Sequence, residues 1–158
     1  MAEQPDQSTR LLLVDDEQAF LEIMAQRLSK RGFAVATAAD GATALQHLQA
    51  SPADVVILDV AMPGMSGLET LLAIKRLSPL IEVIMLTGQA TVTSAVAAIR
   101  QGAFNYLKKP CEIDDLIAQV GDALQRRRAK ESRILEVRMM PYLSPAKREE
   151  LIAAILAE

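Results

Sequence analysis

The stretch LLLVDDE at residues 11–17 decides the fold class of this chain. Four consecutive apolar residues followed at once by acids are typical of a short strand that is buried on both faces and ends at a polar sheet edge. A second stretch of the same form, VVILD, lies at residues 55–59. Between them come a helical pattern that stops at Gly32, a further strand and a further helix, so strands and helices alternate.

The alternation continues toward the C-terminus. Residues 33–38, 83–86 and 103–107 also have the composition of strands, and a helical pattern follows each of them. Five strand–helix units predict an α/β protein with a flavodoxin-like, doubly wound sheet of five parallel strands in the order 2-1-3-4-5, covered by five helices. Ligands of such sheets bind at the carboxyl ends of the strands, beside strands 1 and 3.

The composition excludes several classes of function. The 158-residue chain is 51% hydrophobic but only 3% aromatic, which predicts an aliphatic core and argues against stacking of nucleic-acid bases on aromatic side chains. One Cys and one His argue against a disulfide scaffold and a Cys/His zinc site. We find no secretory signal and no apolar run of about 18 residues, so we expect a cytoplasmic protein without membrane contact.

The residues that end the strands have side chains suited to phosphoryl chemistry. Strand 1 ends at Asp15 and Asp16, strand 3 at Asp59, strand 4 at Thr87 and strand 5 at Lys109. Because strands 1 and 3 are neighbours in the predicted order, three carboxylates should converge, and a cation with oxygen ligands such as Mg²⁺ would relieve their repulsion. Carboxylates, a metal, a hydroxyl and an ammonium group together predict a site where a carboxylate accepts a phosphoryl group.

Four segments together resemble the receiver domain of two-component response regulators. They are LLLVDDE (11–17), DVAMPGMSG (59–67), Thr87-Gly88 and Lys108-Lys109-Pro110. The resemblance covers roughly residues 8–124. It implies that Asp59 is the phosphoacceptor and that Lys109, rather than Lys108, is the lysine of the site. It also implies a cis peptide bond between Lys109 and Pro110, which proline permits at low cost.

The resemblance also implies a metal and partners. A Mg²⁺ (or Mn²⁺) ion is expected on the carboxylates of Asp16 and Asp59, on Asp15 through water, and on the backbone carbonyl of Ala61. The phosphoryl donor would be a sensor histidine kinase or a phosphotransfer protein, and the receiver of the signal an unidentified output protein. The chain would not be an enzyme beyond assisting its own phosphotransfer and autodephosphorylation.

A switch formed by Thr87 and Tyr106 is a further implication of the resemblance. When Asp59 is phosphorylated, Thr87 moves toward the phosphoryl oxygens and the ring of Tyr106 turns into the space that it leaves. The surface of the fourth helix, the fifth strand and the fifth helix then changes. Another interpretation stays open, in which Tyr106 is a core residue whose hydroxyl lies in water.

The predicted organisation has three parts: a flexible N-terminus (1–8), a receiver domain (9–124) and a helical C-terminal extension (125–158). The extension has a net charge of +3 and the rest of the chain −6, which we interpret as a solvated helix face rather than a nucleic-acid contact. Its last helix, 146–157, is too short to be stable alone. It must dock on the receiver, on a second copy in a homodimer through the fifth helix or the extension, or on a partner. The extension is too short for a three-helix DNA-binding domain, which argues against direct DNA binding.

Other functions remain as alternatives. A Mg²⁺-dependent aspartyl-phosphate hydrolase would need an Asp-x-Asp pair and a cap domain, whereas Asp15 and Asp16 are adjacent and the chain has no room for a cap. A non-catalytic scaffold or dimerisation module would not need all five site residues. The receiver is expected to act alone or as the N-terminal piece of a longer transcriptional regulator.

Overall fold

The computed structural model describes residues 8–88 and 91–158, so the predicted flexible N-terminus lies outside the described residues except for Ser8. Five parallel strands form one sheet in the order β2-β1-β3-β4-β5, which confirms the predicted flavodoxin-like fold class. The strands are β1 (Arg10–Val14), β2 (Ala34–Ala38), β3 (Val55–Leu58), β4 (Glu82–Thr87) and β5 (Asn105–Lys108). The helices of the described part are α1 (Gln18–Lys30), α2 (Gly41–Ala50), α3 (Gly67–Leu77), α4 (Val92–Arg100), α5 (Ile113–Met139) and α6 (Pro145–Leu156).

The sheet has a hydrophobic core on each face. Along β1 the side chains alternate, so that Leu12 and Val14 pack with residues of α2 and α3 on one face. Leu11 and Leu13 pack with residues of α1 and α5 on the other face. A parallel strand covered on both sides needs apolar side chains on both sides, which is why the sequence shows unbroken apolar runs rather than alternation.

The strand register brings the carboxyl ends of the central strands to one edge of the sheet. Val14 pairs with Leu58 across β1 and β3, so the next residue of each strand, Asp15 and Asp59, lies at the same edge. Thr87, the last residue of β4, ends at this edge beside β3. The adjacency of β1 and β3 is therefore what turns separate sequence motifs into one site.

Helix ends follow ordinary capping chemistry. Four side chains each accept a hydrogen bond from the backbone N–H of the third residue of their helix: Asp40 for α2, Ser66 for α3, Thr91 for α4 and Ser144 for α6. Gly32 follows α1 with φ of +95°, a left-handed conformation that glycine adopts without a steric cost.

The C-terminal extension is continuous with the receiver. α5 crosses the predicted boundary at residue 124 without a break and ends at Met139. α6 then turns back and packs its Ile155 against Ile134 and Val137 of α5, with Leu80 from the loop before β4 at the same cluster. Of the three docking alternatives for the last helix, the structure shows the one within the chain.

A buried group of charges joins the extension to the sheet. Glu82, the first residue of β4, is only 1% exposed and accepts two hydrogen bonds from Arg126 of α5, at 2.5 and 2.6 Å. Lys75 of α3 lies 3.9 Å from the same carboxylate, and Lys130 of α5 is buried nearby. Burial lowers the pKa of Lys75 to about 8, although the charge of Glu82 opposes this shift. The two hydrogen bonds give the buried carboxylate its partners and join α5 to the start of β4.

Much of the positive charge of α5 is used inside the chain. Arg127 donates to the backbone carbonyls of Ala53 and Asp54, and Arg133 pairs with Glu158 at the end of α6. The interpretation of the basic extension as a solvated helix face therefore holds only in part, because Lys130 is buried and Arg127 bonds to the body of the protein. None of the helices within residues 8–88 and 91–158 is long and apolar enough to cross a membrane.

Candidate functional site

Three carboxylates meet at the carboxyl edge of the sheet. Asp15 and Asp59 are buried, with 2% and 6% exposure, and Asp16 is exposed. One carboxylate oxygen from each residue lies within 4.8 Å of the others. The sequence predicted this convergence from strand order alone, and the structure places all three residues together as expected.

The electrostatics of the cluster disfavour a negative charge on Asp59. The pKa of Asp59 is raised, first by burial and then by the charge of Asp15. Lys109, the side chain of Thr87 and the backbone N–H of Val60 act in the opposite direction. Crowded carboxylates of this kind gain most from a bound cation, and their oxygen-only donors are those that Mg²⁺ prefers. The residues present therefore fit the metal that the sequence predicted.

Lys109 lies at the cluster and bonds to two acids of the loop that follows β1. Its Nζ donates to Oδ2 of Asp15 at 2.5 Å and to Oε1 of Glu17 at 3.1 Å, and it lies 4.0 Å from the ring centroid of Phe20. Burial opposes the charge of Lys109, but the hydrogen bonds to Asp15 and Glu17 outweigh it and raise the pKa of the ammonium. The Lys109–Pro110 peptide bond is cis, as predicted.

Glu17 is a site residue to which the sequence analysis assigned no role. It is the third acid of the DDE run, and its backbone N–H donates to Oδ1 of Asp15 at 2.9 Å. The third consecutive acid of the run was the sequence feature that could have indicated a role for Glu17. Only the position of Lys109 in the fold shows which of these acids the lysine bonds to.

Thr87 and Tyr106 occupy different parts of the site. Thr87 is buried at the end of β4, and hydrogen bonding by its side chain is one of the causes that lower the pKa of Asp59. Tyr106 is half-buried on β5 with its ring against the core, and its hydroxyl lies 2.7 Å from Oγ of Ser94 on α4. The Tyr106 hydroxyl is thus bound to protein rather than only to water, and Ser94 is a partner that the sequence analysis missed.

The loop after Asp59 is held close to the site by a glycine. The N–H of Gly67 donates to the carbonyl of Val60 at 2.9 Å, and a Cβ at Gly67 would collide with the backbone carbonyl of Asp59. Close approach therefore requires glycine at the start of α3. Ala61, the residue whose carbonyl was predicted to bind the metal, is exposed in this loop, and its role stays a prediction.

Comparison with known proteins agrees with the site. The family profile described as the response regulator receiver domain matches residues 11–121. The chain therefore belongs to the receiver domain family of two-component response regulators.

Curated relatives of the chain are response regulators. Similar proteins include the transcriptional regulatory protein GlrR of Escherichia coli, 39% identical over 116 residues that make up 73% of this chain and 26% of that protein. The response regulator MprA of Mycobacterium ulcerans is 32% identical over 146 residues, 90% of this chain and 63% of that one. The chain thus spans about a quarter of the length of relatives such as GlrR.

Solved structures show the same fold. A receiver domain protein from Clostridium thermocellum is 34% identical, with a TM-score of 0.73 over 77% of this chain and 98% of that one. A response regulator protein from Burkholderia pseudomallei, whose structure is described as having a phosphorylated aspartic acid, a calcium ion and citrate, is 27% identical with a TM-score of 0.70. That comparison covers 82% of this chain and 84% of the other.

Proposed function

We propose that Asp59 of this receiver accepts a phosphoryl group from a histidine kinase or phosphotransfer protein. The observation that supports this most is the position of its carboxylate, buried between a second acid, Asp15, and a hydroxyl donor, Thr87. Asp59 directly follows the central strand β3, and its backbone N–H donates to the carbonyl of Val14 at the end of β1. The membership of the family supports the choice, because aspartyl phosphorylation is its typical function.

Each side chain has a chemical task in the proposed reaction. An oxygen of the ionised Asp59 carboxylate attacks phosphorus, and the bond between phosphorus and the donor's nitrogen breaks. The Thr87 hydroxyl donates to one phosphoryl oxygen, and Lys109 turns from Asp15 and Glu17 toward another. Mg²⁺, when bound by Asp15, Asp16 and Asp59, would neutralise charge on the acids and the incoming phosphoryl group.

The output proposed for the receiver is a change in the surface of α4, β5 and α5. An apolar stripe is exposed on α4, formed by Val92, Val96 and Ile99. An exposed apolar stripe suits contact with another protein more than contact with a charged substrate. The cytoplasmic location that the sequence suggested stays a prediction.

A second proposal is that the receiver serves as the N-terminal piece of a longer transcriptional regulator. Relatives that match over about a quarter of their length carry the name of transcriptional regulators. The uninterrupted α5, which extends beyond the receiver to Met139, supports the idea that the receiver passes its signal along this helix. A homodimer through α5 or the extension remains a proposal that light scattering of the intact chain would test.

Phosphorylation with a small donor tests the first proposal. In Mg²⁺ and acetyl phosphate or phosphoramidate, mass spectrometry should show one added phosphoryl group, and Asp59→Asn should show none. Asp40→Asn is the matched control, because asparagine caps α2 as well as aspartate does. An Asp59→Asn protein that still gains the mass would refute the assignment. Asp16→Ala should abolish Mg²⁺ binding in a calorimetric titration, and unchanged binding would contradict its role as a ligand.

A further inference from the structure

The hydroxyl of Tyr106 on β5 hydrogen-bonds to a residue in the first turn of α4. Thr91 and Ser94 cap this helix reciprocally: the N–H of Ser94 donates to Oγ1 of Thr91 at 3.0 Å, and the N–H of Thr91 donates to Oγ of Ser94 at 3.3 Å. The same Ser94 oxygen lies 2.7 Å from the hydroxyl of Tyr106. One serine therefore belongs both to a helix cap and to the aromatic residue on β5.

The Ser94 hydroxyl has one hydrogen and two lone pairs, which allow up to three hydrogen bonds. One lone pair accepts from the N–H of Thr91. The carbonyl oxygen of Thr91 lies at 3.2 Å and its Oγ1 at 2.7 Å. The hydroxyl of Tyr106 lies at 2.7 Å on the side of β5, and either of the two oxygens can be the donor of this bond. Tyr106 thus completes the hydrogen bonding of a residue in the first turn of α4.

The remaining contacts of the ring indicate which orientation this bond favours. The Tyr106 ring is half-buried and packs against the core that contains Met85 of the neighbouring strand. At the same time the side chain of Thr87 acts on Asp59, whose pKa it lowers by hydrogen bonding. A ring turned out to solvent would leave Ser94 and take its hydrogen bond from water. A buried hydroxyl without a partner is costly, so the packed orientation depends on Ser94.

We propose that Ser94 is the residue that receives Tyr106 when its ring packs against the sheet, which ties the ring to the first turn of α4. This inference rests on the proposed function, because it concerns how phosphorylation of Asp59 reaches the surface. Ser94 is a positioning residue: it acts through Tyr106 and does not touch the phosphoryl group. A state with Thr87 engaged and Tyr106 packed gains the bond, so Ser94 should raise the affinity for any ligand that selects this state.

Beryllofluoride, a phosphoryl analogue, is the probe for this proposal. In Mg²⁺, calorimetry should show that Ser94→Ala binds BeF₃⁻ roughly two- to tenfold more weakly than the unmodified protein, the range expected for one net hydrogen bond. Ser94→Thr keeps a hydroxyl and should restore most of the affinity. Tyr106→Phe should weaken binding by a similar factor, and the double variant Ser94→Ala/Tyr106→Phe should be no weaker than either single variant.

A second readout follows the ring directly. The chain has two tyrosines and no tryptophan, and Tyr142 is almost fully exposed. In a Tyr142→Phe background, tyrosine fluorescence reports Tyr106 alone. With BeF₃⁻ bound, acrylamide should quench this fluorescence more in Ser94→Ala than in the parent, because the ring spends more time in solvent.

The outcomes separate this proposal from the proposed function. If Ser94→Ala weakens binding equally in the presence of Tyr106 and in the Tyr106→Phe background, Ser94 acts only as a helix cap and the proposal is wrong. If the unmodified protein and Ser94→Ala bind BeF₃⁻ with the same affinity, the proposal also fails while the phosphoacceptor site stands. If the unmodified protein binds no BeF₃⁻, the proposed function fails and the role of Ser94 fails with it.

Discussion

Replacing Arg126 by methionine is expected to lower the free energy of unfolding by about 3 kcal/mol. The substitution removes the two hydrogen bonds at 2.5 and 2.6 Å that satisfy the carboxylate of Glu82, which is 1% exposed. Breaking a buried ion pair costs about 3–5 kcal/mol, because one charge remains desolvated without its partner. We expect the lower end of that range, since Lys75 still lies 3.9 Å from the carboxylate.

Two further variants make this prediction specific. Glu82→Gln should cost less, about 2 kcal/mol, because the Arg126 side chain is 31% exposed and can turn to water. The double variant Glu82→Gln/Arg126→Met should cost less than the sum of the two by about 1–3 kcal/mol, since neither charge is then stranded. Arg10→Met is the matched control: its ion pair with Asp54 has the same groups, but the arginine is 45% exposed, so the cost should stay below about 1 kcal/mol.

Urea unfolding followed by far-ultraviolet circular dichroism measures these differences. The four variants and the parent protein should unfold with similar slopes, so that the shift in midpoint reports stability rather than a change in the unfolded state. If Arg126→Met and Arg10→Met cost the same within about 0.5 kcal/mol, burial does not decide the strength of these pairs. The proposed anchoring of α5 by Glu82 would then be wrong.

Three other predictions follow from the same structure. Gly67→Ala should destabilise the protein by about 1–3 kcal/mol and slow its phosphorylation, because the new methyl group collides with the carbonyl of Asp59. Gly121→Ala is the control, since this glycine lies on an exposed part of α5 with open space around it, and the variant should stabilise the protein by roughly 0.5–1 kcal/mol. Equal effects of the two variants in urea unfolding would contradict the packing argument. Asp59→Asn should raise the melting temperature at pH 7 without metal. This gain should shrink as the pH falls through the raised pKa of Asp59, because the native state of the parent protein then binds a proton that removes the charge of Asp59. A gain in melting temperature that does not depend on pH would exclude the charge of Asp59 as its source. Truncation after residue 124 should leave a folded but less stable receiver. Truncation after residue 143 should keep most of the stability, because only the longer product retains Arg126. Equal unfolding midpoints of the two products would show that α5 beyond residue 124 does not stabilise the receiver.

The parts of the site that the sequence predicted were those carried by short segments. Asp15 and Asp59 follow directly after apolar runs, so their place at a strand end depends only on local pattern and on the order of the strands. The cis bond at Lys109–Pro110 is equally local. The chemical roles of the site residues remain predictions until phosphorylation and metal binding are measured.

The parts that the sequence left open depend on side chains that are distant along the chain. The partner of Lys109 proved to be Glu17 as well as Asp15, and a lysine at a strand end has several acids within reach of its flexible side chain. The predicted domain boundary at residue 124 is where the resemblance to the receiver family ends. In the structure α5 continues past this residue, because good helix formers follow and because Arg126 bonds to Glu82.

The sequence by itself determined the alternation of strands and helices, the sheet order and the acids that meet at the carboxyl edge. These follow from the period of apolar residues and from the rule that parallel strands are joined by helices, both of which act over short segments of chain. Only the tertiary structure decided that Tyr106 bonds to Ser94, that Glu82 anchors α5 and that α6 folds back on its own chain. These contacts depend on the distance and orientation of side chains brought together by folding, which no local pattern specifies.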